Sequence, residues 1–342
     1  MNYTTPPPQM YYPQDFTPDR EEKKKIRKNY NTVGLVLLVL NVLTIIICSV
    51  CYDIFCPEVI YDEYGATVIG LKEAIIGGCF PAIMAMLTFG GYCLCARYNP
   101  KELFSTEKVK GGEVCRYALI VLMLQQVSFF ITVGISTTLY AMGLEVPDMN
   151  MVYEHKPSVY AADVIASVIL APIGEELIYR GVVLRCCAKV SRRFAIFFSA
   201  FVFGIMHGNP YQFVLGFILG IPLAIITIRT GSLIPAIICH MANNFFACIP
   251  TVVGYFDESA SYIINVIYIP LFLLIGIFAF VPEIISGRMK LPEYTEYHRK
   301  RTLPIMITSW SMIIAMAIFV YDLIRSVQPI AEVVEDVIEK EL

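Results

Sequence analysis

Ionisable residues are rare inside the apolar runs of this chain, and those present are of the types that split an acyl bond. Glu175, Glu176 and Arg180 lie in one run, His207 in the next, and His240 with Asn243 and Asn244 two runs further on. The chain has 4 histidines, and two of them are in this set; His155 and His298 fall in polar connections and read as ordinary surface. Charged groups within a bilayer are costly and usually mark function. A carboxylate and an imidazole facing a small cavity deprotonate a water for attack on a carbonyl. A second imidazole with an amide donates hydrogen bonds to the oxyanion that develops. No Ser–His–Asp set accompanies them, and Cys239, adjacent to His240 on a helix, points away from it.

Helical spacing sorts these residues. Glu176 and Arg180 are four apart, share a face and pair, which leaves Glu175, about 100° round the helix, as the acid free for chemistry. His240 and Asn244 also share a face, and Asn243 does not. Pro172 and Gly174, just before the acids, loosen the helix and admit water. Depth can be measured from the basic turns. Glu175 lies about 15 Å along a helix from Arg185, and His207 about 20 Å from Phe194. His240 lies about 12 Å, and Asn244 about 18 Å, from Ser232. Three helices thus bring polar groups within a turn or two of one level, as a shared wet pocket requires.

The elements that position them are transmembrane. Of 342 residues, 57% are hydrophobic and 16% charged, against about 25% charged in an ordinary soluble domain, and the mean hydropathy is +0.63. Apolar residues gather in runs of about twenty, the length of a membrane-crossing helix, and backbone groups in lipid must be satisfied within the segment. Nine such runs are read, at 33–51, 74–95, 117–140, 162–184, 194–208, 211–229, 233–253, 262–282 and 304–324. The connections at 97–116, 185–193 and 283–303 are rich in Lys and Arg, whereas those at 52–73, 141–161 and 254–261 are poor in them. This alternation follows the positive-inside rule from a cytoplasmic N-terminus marked by Lys23, Lys24, Lys25, Arg27 and Lys28.

The expected fold is therefore an all-α, polytopic transmembrane bundle of 8 to 9 spans. The fifth run is the shortest and the one expected to be re-entrant if the count is eight, which decides the side of the C-terminus. Residues 1–31 read as a disordered cytoplasmic tail, 32–158 as N-terminal transmembrane helices, 159–255 as a catalytic core, 256–330 as C-terminal helices and 331–342 as an acidic tail. Gly216 and Gly220 allow a close helix approach. Gln125, Gln126 and Ser128 either line the cavity or join helices. Most of the 11 cysteines lie in apolar runs as small hydrophobes, and Cys48-x-x-Cys51 lacks the βαβ setting of a redox motif. A net charge of −3 points to no nucleic-acid partner; the partners expected are the lipid bilayer and a membrane-associated peptide or protein substrate.

The three motifs, Glu175-Glu176-x-x-x-Arg180, Phe203-x-x-x-His207 and His240-x-x-x-Asn244, resemble in type and order those of the CAAX-protease and bacteriocin-processing family, also called Abi, over roughly residues 160–255. The resemblance implies an intramembrane endopeptidase of the cell membrane. Glu175 and His207 match the pair that activates water, His240 and Asn244 the oxyanion-binding pair, and Glu176 and Arg180 the supporting positions. Some members cut the C-terminal tripeptide from prenylated proteins, and bacterial relatives are associated with peptide or bacteriocin processing and self-immunity. No cofactor is implied by a glutamate mechanism, although Glu175, His207 and His240 are chemically able to hold Zn²⁺ with a water as fourth ligand. Two other readings of the same residues are a non-catalytic membrane scaffold or immunity protein and an ion-coupled transporter.

Overall fold

Among the described residues the greater part of each apolar run is helical, as the absence of water partners in lipid demands. The computed structural model describes residues 19–60, 67–146, 151–189, 191–287, 304–306 and 308–330. Its longer helices are α1 (Arg20–Phe55), α2 (Leu71–Cys95), α3 (Gly111–Ala141), α4 (157–188), α5 (Arg192–Ile205), α6 (Pro210–Thr230), α7 (Ile234–Phe256), α8 (Glu258–Ile285) and α9 (Trp310–Arg325). Six of them, α1, α2, α3, α6, α7 and α8, are long and apolar enough to cross a membrane. The other three fall short for different reasons. α4 is broken by two six-residue π turns, Ile165–Leu170 and Tyr179–Leu184, into α-helical stretches of 8, 8 and 4 residues. α5 has 14 residues and α9 has 16, about 21 and 24 Å of helix against a hydrocarbon core of roughly 30 Å.

The helices alternate between two ends of the bundle. At one end the Arg27 guanidinium donates to Thr308 Oγ1, just before α9, and the Tyr30 ring meets Phe194 of α5 edge-on. Arg185 at the end of α4 donates to Tyr98, which follows α2. Leu233 N donates to Leu103 O at 2.7 Å. Arg229 pairs with Glu113, and Arg116 with Glu283, which is fully buried. These contacts gather the basic connections into one face. At the opposite end Lys72 Nζ donates to Phe55 O, the His155 ring stacks on Tyr255 near the end of α7, and short strands join other segments. β1 (Thr67–Ile69) runs parallel to β3 (Met151–Tyr153), and β2 (Leu144–Glu145) antiparallel to β4 (Gln328–Pro329). Among the described residues, the basic connections thus gather at one end of the bundle and the connections poor in Lys and Arg at the other.

Two local readings change. The polar lead becomes helical at Arg20, because Asp19 and Glu22 form a reciprocal capping box in which Glu22 N donates to Asp19 Oδ1 and Asp19 N to Glu22 Oε2. The basic residues Lys23 to Lys28 therefore belong to α1; residues 1–18 and the acidic tail 331–342 lie outside the described residues. The fifth run stops at Ile205, short of residue 208, so that His207 sits in a turn and not within a helix. Gly208 has φ +71°, a conformation glycine adopts without the cost of a Cβ. Asn209 then caps α6, its Oδ1 accepting from Gln212 N at 2.9 Å, with Pro210 in the first turn.

α5 and α6 form a tight hairpin through small residues. A Cβ on Gly216 would lie 2.9 Å from Gly204 Cα, and one on Gly220 would lie 2.8 Å from Ala200 Cα. The obstructing atoms are backbone, so neither clash can be relieved by a rotamer change. Gly216→Leu should lower the thermal unfolding midpoint of the detergent-purified protein, in line with an overpacking cost of about 1–3 kcal/mol; an unchanged midpoint would contradict this packing. Single cysteines at positions 27 and 326 should react with an impermeant maleimide from opposite sides of sealed vesicles.

Candidate active site

α4 carries its two acids between its two π turns. Such turns alter helical register and leave main-chain carbonyls open to other donors. Ser167 O, in the first of them, accepts from Asn244 Nδ2 of α7 at 2.8 Å. α2 packs closely against α4 here, since a Cβ on Gly174 would come within 2.9 Å of Ala82 O. α2 itself contains a π turn, Ile75–Cys79, at the same flank.

Glu176 and Arg180 are fully buried and paired, with Arg180 Nη1 at 2.9 Å from Glu176 Oε1. Arg180 Nη2 also donates to Gly220 O of α6 at 3.3 Å, and its guanidinium lies 4.6 Å from the centroid of the Phe203 ring of α5. His240 Nδ1 lies 3.0 Å from the same Glu176 oxygen. An ionised carboxylate only accepts, so Nδ1 carries the proton, and Nε2 is the nitrogen turned to Glu175 Oε2, at 3.6 Å. His240 therefore stands between the two carboxylates. Glu176 fixes its ring and tautomer, and Glu175 takes the other edge.

His207 has a defined tautomer as well. Its Nδ1 lies 2.8 Å from Phe203 O, and a carbonyl cannot donate, so Nδ1 is the donor and Nε2 is a free base. Phe203 makes edge contacts with both imidazoles, at centroid distances of 5.2 Å to His207 and 5.6 Å to His240. Glu175 and His207 line one cavity of about 250 Å³. Its other walls come from α1 (Leu40, Asn41, Thr44), α2 (Gly78, Ala82, Ala85), Ala171 and Tyr179 of α4, and Met206. Tyr179 OH donates to Met206 Sδ, anchoring the residue before His207.

The structure thus brings Glu175 and His207 to one cavity and packs His240, Glu176 and Arg180 as a buried chain reaching Glu175. Asn244 is joined to the π turn through Ser167 O and to its neighbour through Asn243 Nδ2, and neither it nor His240 is among the residues lining the cavity. Gln125 and Gln126 line a separate cavity of about 440 Å³ between α3, α7 and α8, and Ser128 donates back to Leu124 O within α3. Among the described residues no three His, Cys, Asp or Glu side chains converge in a way that could hold a metal ion; Glu175, His207 and His240 thus do not fit a zinc site in this arrangement. Asn41 and Thr44 escaped the reading of the sequence. They fall every third or fourth position along the buried stripe Tyr30, Val33, Leu37 and Leu40 of α1, and this continuation of the stripe is the signal that marks them.

Residues 157–246 match the family model described as Rce1-like, type II CAAX prenyl endopeptidase. The matched segment contains all three motifs and runs from the start of α4 into α7, in agreement with the resemblance drawn from those motifs. Neither curated proteins nor solved structures yield a match to the chain. The segment is thus similar to a protease family, and the long apolar helices make the chain a multi-pass membrane protein.

Removing one partner of a fully buried ion pair leaves an uncompensated charge, at a cost of about 3–5 kcal/mol. Arg180→Met should therefore depress the unfolding midpoint strongly. Adding Glu176→Gln to that variant should recover part of the loss, because the stranded charge is then gone. Equal midpoints for wild type and Arg180→Met would refute the pairing.

Proposed function

We propose that this protein is an intramembrane endopeptidase that hydrolyses a peptide bond of a membrane-associated protein or peptide, with Glu175 as the general base. The observation that carries this reading is that Glu175 of α4 and His207 of the turn between α5 and α6 line one cavity, where the free Nε2 of His207 is available as a second acceptor. A water held between them loses a proton to the Glu175 carboxylate as its oxygen adds to the substrate carbonyl. The C–N bond then breaks as that proton passes from Glu175 to the leaving amine. Burial of Arg180 and Glu176 keeps the supporting charges paired, so the carboxylate that faces the cavity is Glu175.

His240 has two parts in this scheme. Its Nε2, an acceptor because Nδ1 carries the proton, takes the water's proton from Glu175, and the imidazolium so formed helps hold the oxyanion until that proton returns through Glu175 to the leaving amine. Asn244 joins it as an oxyanion donor by exchanging the Ser167 carbonyl for substrate; until then it fastens α7 to the π turn. The name of the matched family makes the carboxyl-terminal segment of a prenylated CAAX protein the first substrate class to test. The basic end of the bundle is taken as the cytoplasmic face of the cell membrane.

The test is quantitative comparison of membrane-derived peptides from cells expressing wild type, Glu175→Ala, His207→Ala or His240→Ala, alongside cleavage of an internally quenched farnesylated CAAX peptide by the purified proteins. Each variant should lose at least a hundredfold in turnover while inserting normally. Undiminished cleavage by Glu175→Ala would remove the base and with it this mechanism.

A further inference from the structure

We infer that Asn41 of α1 is a substrate-binding residue of the cavity, where its side-chain amide pairs with a main-chain peptide unit of the bound segment beside the scissile bond. This rests on the endopeptidase reading above, and it lies outside residues 157–246, the part of the chain matched by the family model.

The buried stripe of α1 runs through Ile26, Tyr30, Val33, Leu37 and Leu40 and is apolar as far as the level of the cavity. There it changes character. Asn41 and Thr44 face the cavity that Glu175 and His207 also line. One turn further on, Cys48 Sγ donates to Ile76 O and Tyr52 OH to Glu73 O, both in α2. The polar groups beyond the cavity thus have protein partners. Asn41 and Thr44 make no hydrogen bond to any other side chain or carbonyl among the described residues.

A carboxamide in a membrane helix is expensive unless its donors and acceptor are met. Elsewhere in the bundle amides find protein partners for their donors, as with Asn244 Nδ2 on Ser167 O and Asn243 Nδ2 on Asn244 Oδ1, although Asn243 Oδ1 and Gln125 Oε1 are left without a partner. Among the described residues Asn41 is the one side-chain amide that lines the cavity. An Asn side chain carries two N–H donors and a carbonyl acceptor. That matches one peptide unit, with Nδ2–H donating to the substrate carbonyl and Oδ1 accepting its N–H. The neighbouring walls suit a main chain more than a bulky side chain, because Gly78, Ala82 and Ala171 present at most a methyl group. A helical substrate has its own amides satisfied, so a pairing of this kind favours an unwound, extended segment, the form that exposes a peptide carbonyl to Glu175.

The experiment is the membrane-peptide comparison with four proteins: wild type, Glu175→Ala, Asn41→Leu and Asn41→Gln. Peptides that vanish in Glu175→Ala define the products. Asn41→Leu is chosen because a membrane helix accepts leucine readily, and the unfolding midpoint of the purified variant checks its integrity. The expectation is at least a tenfold drop in those products for Asn41→Leu, with partial recovery in Asn41→Gln and midpoints equal to wild type. On any peptide the purified protein cleaves, the loss should fall on KM as well as kcat. Product levels in Asn41→Leu within twofold of wild type would overturn the assignment while leaving the endopeptidase reading intact. A drop shared equally by Leu and Gln with a lowered midpoint would make Asn41 structural and overturn it too. If no peptide depends on Glu175, both readings fall together.

Discussion

One buried ion pair organises the site. Glu176 and Arg180 have no exposure to solvent, and each would be untenable in lipid without the other. Their cost is offset by the links they make. Arg180 reaches the Gly220 carbonyl of α6 and the Phe203 ring of α5, and Glu176 holds His240 of α7. Four helices are thereby tied to one charged centre. The arrangement also decides which atoms remain for chemistry: Nδ1 of His240 is occupied, and Glu175 is the acid left on the cavity side.

The backbone is shaped around the same place. Of the three π turns among the described residues, Ile75–Cys79 and Tyr179–Leu184 contribute Gly78 and Tyr179 to the cavity wall, and Ile165–Leu170 ends just before Ala171, which also lines it. Each shifts the register of side chains by a fraction of a turn and opens main-chain carbonyls. Asn244 and Cys48 use two of those carbonyls, Ser167 O and Ile76 O, and so fasten α7 and α1 to the walls. In lipid such departures from the α-helix are tolerated where they are covered by protein or line a wet cavity. The turn holding His207 is of this kind, made by the left-handed Gly208 and the Asn209 cap.

Much was legible in residue order alone. The runs of apolar residues had one available structure in lipid, and the basic connections among them fall at one end of the bundle, because helix length and loop charge act locally along the chain. The i, i+4 relation of Glu176 to Arg180 is likewise a property of a single helix, which is why that pair could be anticipated and Glu175 singled out. Local reading slipped where a cap outweighed hydropathy. Asp19 with Glu22 started α1 among charged residues, and Gly208-Asn209-Pro210 ended α5 before His207, a stop written in the sequence but masked by the apolar run around it.

What remained for the tertiary structure was every relation between helices. Spacing along α7 put His240 and Asn244 on one face, but only packing showed that the imidazole meets two carboxylates while the amide meets the Ser167 carbonyl. Nor could spacing tell that Gln125 and Gln126 face a separate cavity, or that α1, some 130 residues before the acids, supplies Asn41 to the wall opposite them. Helix rotation and neighbour choice depend on ridge-and-groove fit over whole surfaces, and small residues such as Gly174, Gly216 and Gly220 determine how near two helices come. Residue order thus determined the helices, their ends and the pair within α4. Three-dimensional packing decided which helices meet, and therefore which side chains share the wet cavity.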